Sequence, residues 1–174
     1  MEALEKWHDF YILVGTAAAT LLALLFVAVS LGTGFLGRGE REAATRAFFS
    51  PVVVHFSAAF LLSAVALIPA HRIAFFVVIV AVCGICGFAV SLFTTIQLFR
   101  HDWTKYKQDH LAYGLLPVVS YGAFVAAAVM MWAESERAID ILAAGLLLLL
   151  LVNVRNAYDL TLSMVRHHAE RERQ

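Results

Sequence analysis

The side chains in this chain best suited to chemistry follow directly on a run of leucines. In "LLLLLLVNVRNAYDLTLSM", residues 146–164, six leucines lead into Asn153, Arg155, Asn156 and Asp159 with no glycine or proline between them. On a helix, Arg155 and Asp159 stand four residues apart and can pair, while Asn156 and Asp159 share a face. His55, in "SPVVVH", is the one histidine well inside an apolar stretch. Placed together, His55, Asn153, Arg155, Asn156 and Asp159 would make a polar pocket in which His55 and Asp159 could act as base and acid. No nucleophile accompanies them, so enzymatic chemistry is not expected and no catalytic residue is assigned. Cys83 and Cys86 form a C-x-x-C, but a structural metal site needs four ligands and no second pair exists, so no metal site is expected. His110 lies at a depth comparable to His55, but a single in-span histidine gives little basis for haem ligation, and no cofactor is expected. Walker A, H-E-x-x-H, G-x-S-x-G and T-V-G-Y-G motifs are all missing.

The elements that must carry these residues follow from composition. Of 174 residues, 61% are hydrophobic and only 15% charged, too little polar surface for a water-soluble domain, in which roughly a quarter would be charged. About 20 apolar residues span a 30 Å hydrocarbon core as a helix. Five stretches qualify, at about residues 10–31, 51–70, 73–99, 111–132 and 139–161. The backbone finds no hydrogen bonds in lipid, so these stretches are predicted as helices, making one all-α transmembrane domain over residues 1–174. Ser50 and Pro51 suit the start of the second span, Pro69 its end, and residues 40–49 could form a short interfacial helix. Pro117 predicts a kink in the fourth span. In the first, "GTAAAT" predicts that Gly15, Ala18 and Ala19 face another helix.

Orientation is readable from the basic residues. Lys6, Arg72 and Arg137 fall on one side of the five spans. Arg38, Arg41, Arg46, Arg100, Lys105, Lys107, Arg155, Arg166, Arg171 and Arg173 fall on the other. This asymmetry predicts an N-terminus outside and a C-terminus in the cytoplasm. The loop "RHDWTKYKQDH" sets Trp103 beside Lys105 and Lys107, which suits anionic lipid headgroups. Nothing indicates nucleic-acid binding.

Span direction then converts position into depth. His55, Ser91, Thr94, Thr95, Ser120, Tyr121, Asn153, Asn156 and Asp159 all fall in or toward the cytoplasmic leaflet. Counted from Asp140, Asp159 is about 28 Å along its helix and Arg155 about 22 Å. One reading is that the fifth span simply emerges into the headgroups, with its charges paired and its asparagines bonding neighbouring helices. The other is a cytoplasm-facing pocket in which Asp159 and His55 meet through Asn156 or water.

Three stretches, "WHDFYILVGTAAATLLALLFVAVSL", "SPVVVHFSAAFLLSAVALIP" and "VRNAYDLTLSMV", resemble a group of small uncharacterised bacterial multi-span inner-membrane proteins. The resemblance covers most of the chain. It implies a bacterial inner membrane and carries over no activity, cofactor or site residue. The expected function is therefore a homo-oligomeric channel or carrier for an ion or small solute, embedded in the lipid bilayer. The alternative is a structural or regulatory membrane protein that binds other helices or lipids.

The predicted orientation has a direct check. Single cysteines replacing Glu2 and Gln174, on a background without Cys83 and Cys86, should be labelled by impermeant reagents from opposite faces of the membrane. Labelling of both from one face would require an even number of spans.

Overall fold

The computed structural model describes residues 6–34, 51–68, 73–101 and 111–171. Within them the chain forms α1 (His8–Gly34), α2 (Pro51–Ala66), α3 (Ile73–His101), α4 (Leu116–Trp132) and α5 (Ala138–Arg171), with a π-helical turn, Leu111–Leu115, leading into α4. There is no strand among the described residues. Four of the helices, α1, α3, α4 with its preceding turn, and α5, are long and apolar enough to cross a bilayer. The other, α2, is apolar but shorter, with 16 residues, or about 24 Å of rise. It gives way to a turn before the predicted limit of the second span. The candidate interfacial helix at 40–49, the turn at 70–72, His110 and the headgroup contacts Trp103, Lys105 and Lys107 lie outside the described residues.

Contacts fix the direction of each helix. Gly15 on α1 meets Ser63 on α2, while Leu25 packs with Val52 and Phe56, so these helices run antiparallel. Gly84 and Gly87 on α3 meet Phe124, Val125 and Tyr121 on α4, and Thr95 meets Gly114, again antiparallel. Gly145 on α5 meets Ala123 and Phe124, and Tyr113 reaches Asn156. The helices α2, α3, α4 and α5 form a ring in which each packs on the next, and α1 lies outside it against α2 and α5. At one end of the bundle α2 and α4 begin while α1, α3 and α5 finish. We call this the polar end.

The buried side chains explain that name. Along α3 the buried stripe reads Phe76, Val77 and Val80, then Gly84 and Gly87, then Ser91 and Thr95 toward the polar end. Along α5 it reads Ile139, Leu142, Leu146 and Leu149, then Asn153 and Asn156. These stripes repeat every three or four residues, as a helix packed on one side requires. The outward faces also carry large apolar side chains, among them Leu13, Phe93, Val129 and Leu151, as expected of helices bathed in lipid.

Without a hydrophobic drive between helices in lipid, close approach through small residues must supply the packing. Gly15 is buried against Ser63, Ala18 is fully buried and Ala19 half-buried, so the small patch of α1 does face α2. The tightest approach is at Gly87, where an added Cβ would overlap the Tyr121 ring. Pro117, which donates no hydrogen bond, lies at the start of α4 rather than in its middle. The irregularity is the π turn just before it, and Pro117 takes the second position of α4. Between α4 and α5 the chain reverses at Glu134, with φ of 55°. Its N–H and that of Ser135 donate to the carbonyls of Met131 and Met130, at 3.1 and 2.9 Å, closing the last turn of α4.

A matched pair of substitutions tests the packing. Gly87→Ala should destabilise the detergent-solubilised protein by about 1–3 kcal/mol, the usual penalty for overfilling a core. Gly122→Ala should be close to neutral, since its Cβ would meet only Phe88, at 3.8 Å. Equal melting temperatures for the two variants would contradict the Gly87–Tyr121 contact.

Candidate functional site

Hydrogen-bonding residues at the polar end fall into two groups. The first is internal. His55, 2% exposed, projects from α2, and its Nδ1 lies 2.8 Å from the Tyr121 hydroxyl on α4. The two rings are 5.3 Å apart between centroids. Since α2 and α4 sit across the ring from one another, this bond spans the middle of the bundle. Tyr121 is held from two directions, by Gly87 beneath its ring and by Phe124 edge-on at 5.4 Å.

Asn153, 1% exposed, sits on α5 and donates from Nδ2 to the Val52 carbonyl at 3.2 Å. Val52 is three residues before His55, so Asn153 works about 4.5 Å nearer the polar end than the histidine does. Asn156 is likewise buried, and its backbone carbonyl accepts a hydrogen bond from the Tyr113 hydroxyl at 3.2 Å. Ser91 is buried on α3, one turn beyond Gly87 toward the same end. Ser120 and Thr95 are buried too, but their hydroxyls are satisfied by the carbonyls of Leu116 and Ser91, at 3.0 and 2.7 Å. Buried atoms without a hydrogen-bond partner include Asn153 Oδ1 and Ser91 Oγ here, and the hydroxyls of Tyr11 and Ser63 at the opposite end of the bundle.

The second group is peripheral. Arg155 Nε and Asp159 Oδ2 are 3.9 Å apart, with side chains 43% and 39% exposed. The bundle thus brings His55, Asn153 and Asn156 inside and leaves Arg155 and Asp159 together at the surface of α5. Helix geometry accounts for this division. Each three-residue step falls about 60° short of a full turn, so Asn153, Asn156 and Asp159 trace a slanting line across α5. By Asp159 that line has left the buried sector and come round beside Arg155.

Sequence reasoning missed Tyr121 as the partner of His55, although it put both in the same leaflet. The available signal was Gly87, a glycine in mid-helix at the depth where a large ring must be accommodated. Cys83 is half-buried and Cys86 exposed, both as free thiols. Among the described residues no group of three or more metal-ligating side chains converges. Compared with known proteins, the chain matches no family model, no curated protein and no solved structure.

Chemically, the internal group joins separate helices by hydrogen bonds between neutral side chains and backbone. It contains no buried carboxylate, lysine or arginine among the described residues. The His55–Tyr121 bond also ties two opposed helices together. Tyr121→Phe removes one partner of a buried bond and should lower stability by about 1–2 kcal/mol, with a coupling to His55→Phe of roughly 0.6–1.7 kcal/mol in a double-mutant cycle. Asp159→Asn breaks a half-exposed pair and should change stability by about 1 kcal/mol or less. The measurement is reversible unfolding in mixed micelles. A larger loss from Asp159→Asn than from Tyr121→Phe would invert the assignment of which contact holds the bundle.

Proposed function

We propose that the protein is a non-catalytic channel or carrier of a bacterial inner membrane, acting on an ion or small solute as a homo-oligomer. In this reading all five helices cross the bilayer, the N-terminus is outside, and the polar end faces the cytoplasm. What supports it is the unmet hydrogen-bonding capacity of Asn153 Oδ1 and Ser91 Oγ, both buried where lipid offers no partner. A buried polar group with no partner costs about 1–3 kcal/mol, and a membrane protein retains few of them without use. Water or a transiting solute would meet the need. The apolar half, lined by Phe76, Val80, Phe124 and Leu142, would then be the constriction that opens and closes by wetting.

A structural or regulatory role, in which the protein binds other helices or lipids, is the second reading. It is favoured by the side-chain bonds that join separate helices, His55 to Tyr121 and Asn153 to Val52, because such bonds serve packing equally well. The half-exposed Arg155–Asp159 pair would then meet headgroups or a neighbouring chain.

Reconstitution separates the two. Purified protein in proteoliposomes should pass at least one member of a panel of monovalent ions and small solutes faster than empty vesicles do. Asn153→Leu should reduce that flux by about tenfold, the effect of one strong hydrogen bond on an equilibrium, while Leu151→Ala on the outward face should not. Absence of flux across the whole panel would favour the structural role.

A further inference from the structure

The outward face of α5 is narrow, because α1, α2 and α4 all pack on this helix. Along it the exposed residues run Leu147, Leu151, Val154 and Tyr158, three or four apart, as one face of a helix requires. Arg155 is exposed beside the last two, and Asp159 meets it from the next turn, with Nε and Oδ2 3.9 Å apart. An apolar strip therefore leads into a half-exposed pair of opposite charges flanked by an aromatic ring. Arg155 and Asp159 belong to the same helix, so their mutual attraction does not by itself tie α5 to a neighbour.

Contacts between helices fix how far along the bundle this pair stands. Asn153 bonds the carbonyl of Val52, the second residue of α2. Tyr113, in the turn that leads into α4, bonds the carbonyl of Asn156. Along α5, Arg155 stands about 3 Å beyond Asn153 and Asp159 about 9 Å beyond it. The pair thus sits at the level where α2 and the turn before α4 begin. The apolar, bilayer-crossing stretch of α5, Ala138–Asp159, ends at the same place. A bilayer matched to these helices has its headgroups there.

Opposite charges at that level discriminate among headgroups. An anionic lipid would meet an attraction at Arg155 and a repulsion at Asp159. A zwitterionic lipid meets two attractions, with its phosphate on Arg155 and its ammonium on Asp159, and the four groups then alternate in sign. Single exposed pairs contribute little, whereas networks of several charges contribute more. The guanidinium fork suits a phosphate. A primary ammonium offers the carboxylate three N–H donors, and a trimethylammonium offers none. The acyl chains of such a lipid would follow Val154, Leu151 and Leu147, and Tyr158, 64% exposed, would lie at the interface that tyrosine favours.

We infer that Arg155, Tyr158 and Asp159 form a headgroup site for a zwitterionic phospholipid carrying a primary amine, held on the outward face of α5. The site lies outside the ring, so it goes beyond the transport reading and holds whether or not the bundle passes a solute.

The test is competition among lipids for the full chain. The protein is placed in nanodiscs containing equal amounts of phosphatidylethanolamine, phosphatidylcholine and phosphatidylglycerol with matched acyl chains. Lipids that remain bound on release are counted by native mass spectrometry. Phosphatidylethanolamine should be retained about two- to fivefold over each of the others, the effect of one exposed ionic contact. Asp159→Asn should remove the preference over phosphatidylcholine and raise phosphatidylglycerol relative to phosphatidylethanolamine. Arg155→Gln should lower retention of all three, since each carries a phosphate; if that variant does not fold, Asp159→Asn decides alone. Equal retention of the two zwitterionic lipids by the unmodified protein would overturn the site, as would a preference that survives Asp159→Asn. Loss of a dimer in these variants, with lipid retention unchanged, would assign the pair to a second copy of the chain and overturn it too. None of these outcomes alters the flux assay, so the two readings fail separately.

Discussion

Hydrocarbon gives polar groups nothing to bond with, and the arrangement of this bundle turns on a place where two side chains answer that across its width. His55 and Tyr121 come from helices that do not pack against each other broadly, so their 2.8 Å bond sets the distance between opposite corners of the ring. Everything adjacent is adapted to it. Gly87 has no side chain because the Tyr121 ring occupies that space, and Phe124 stacks edge-on to fix the ring's tilt. Gly145 lets α5 approach Phe124 closely enough to bring Asn153 to the start of α2. In a water-soluble protein the hydrophobic effect would hold such helices together regardless. In lipid it does not distinguish a neighbouring helix from an acyl chain, so fit and a few hydrogen bonds carry the specificity.

The division of labour along the bundle axis follows from the same cause. Large apolar side chains fill one half of the ring, where dispersion contacts suffice. Toward the polar end the buried residues become smaller and more polar on two helices of the ring, from Val80 through Gly87 to Ser91 on α3, and from Leu149 to Asn153 on α5. A half filled mainly by apolar side chains, joined to a half in which His55, Ser91, Tyr121 and Asn153 are buried, is a different object from a uniform core, even though both are built from one continuous set of helices.

Much of this was legible in the sequence and some was not, for identifiable reasons. Helices could be read directly, because 20-residue apolar runs in lipid have no other way to satisfy their backbone. Gathering of the polar residues toward one end could be read too, since alternating span direction turns position into depth. Azimuth was harder. Arg155, Asn156 and Asp159 are adjacent on a helical wheel, and which of them turns inward depends on where α4 and α2 press on α5, a tertiary fact. The partner of His55 was hidden for the same reason: Tyr121 is 66 residues away and nothing local couples them. Glu134 illustrates a third limit. A left-handed residue closing a helix is ordinarily glycine, and here a glutamate at φ 55° does it, so composition gave no warning of a stop made by backbone bonds alone.

The position of α1 outside the ring bears on how the protein is made. It touches α2, its immediate successor, and α5, the last helix described, but has no broad contact with α3 or α4. During synthesis α1 and α2 can pair as soon as both have been made, through the Gly15–Ser63 approach. His55 then waits until α4 follows with Tyr121. The ring itself stays open until α5 arrives, because α5 is the element that touches α1, α2 and α4 alike. Until α4 is made His55 has no Tyr121 to meet, and α5, which touches α1, α2 and α4, is the element that closes the ring.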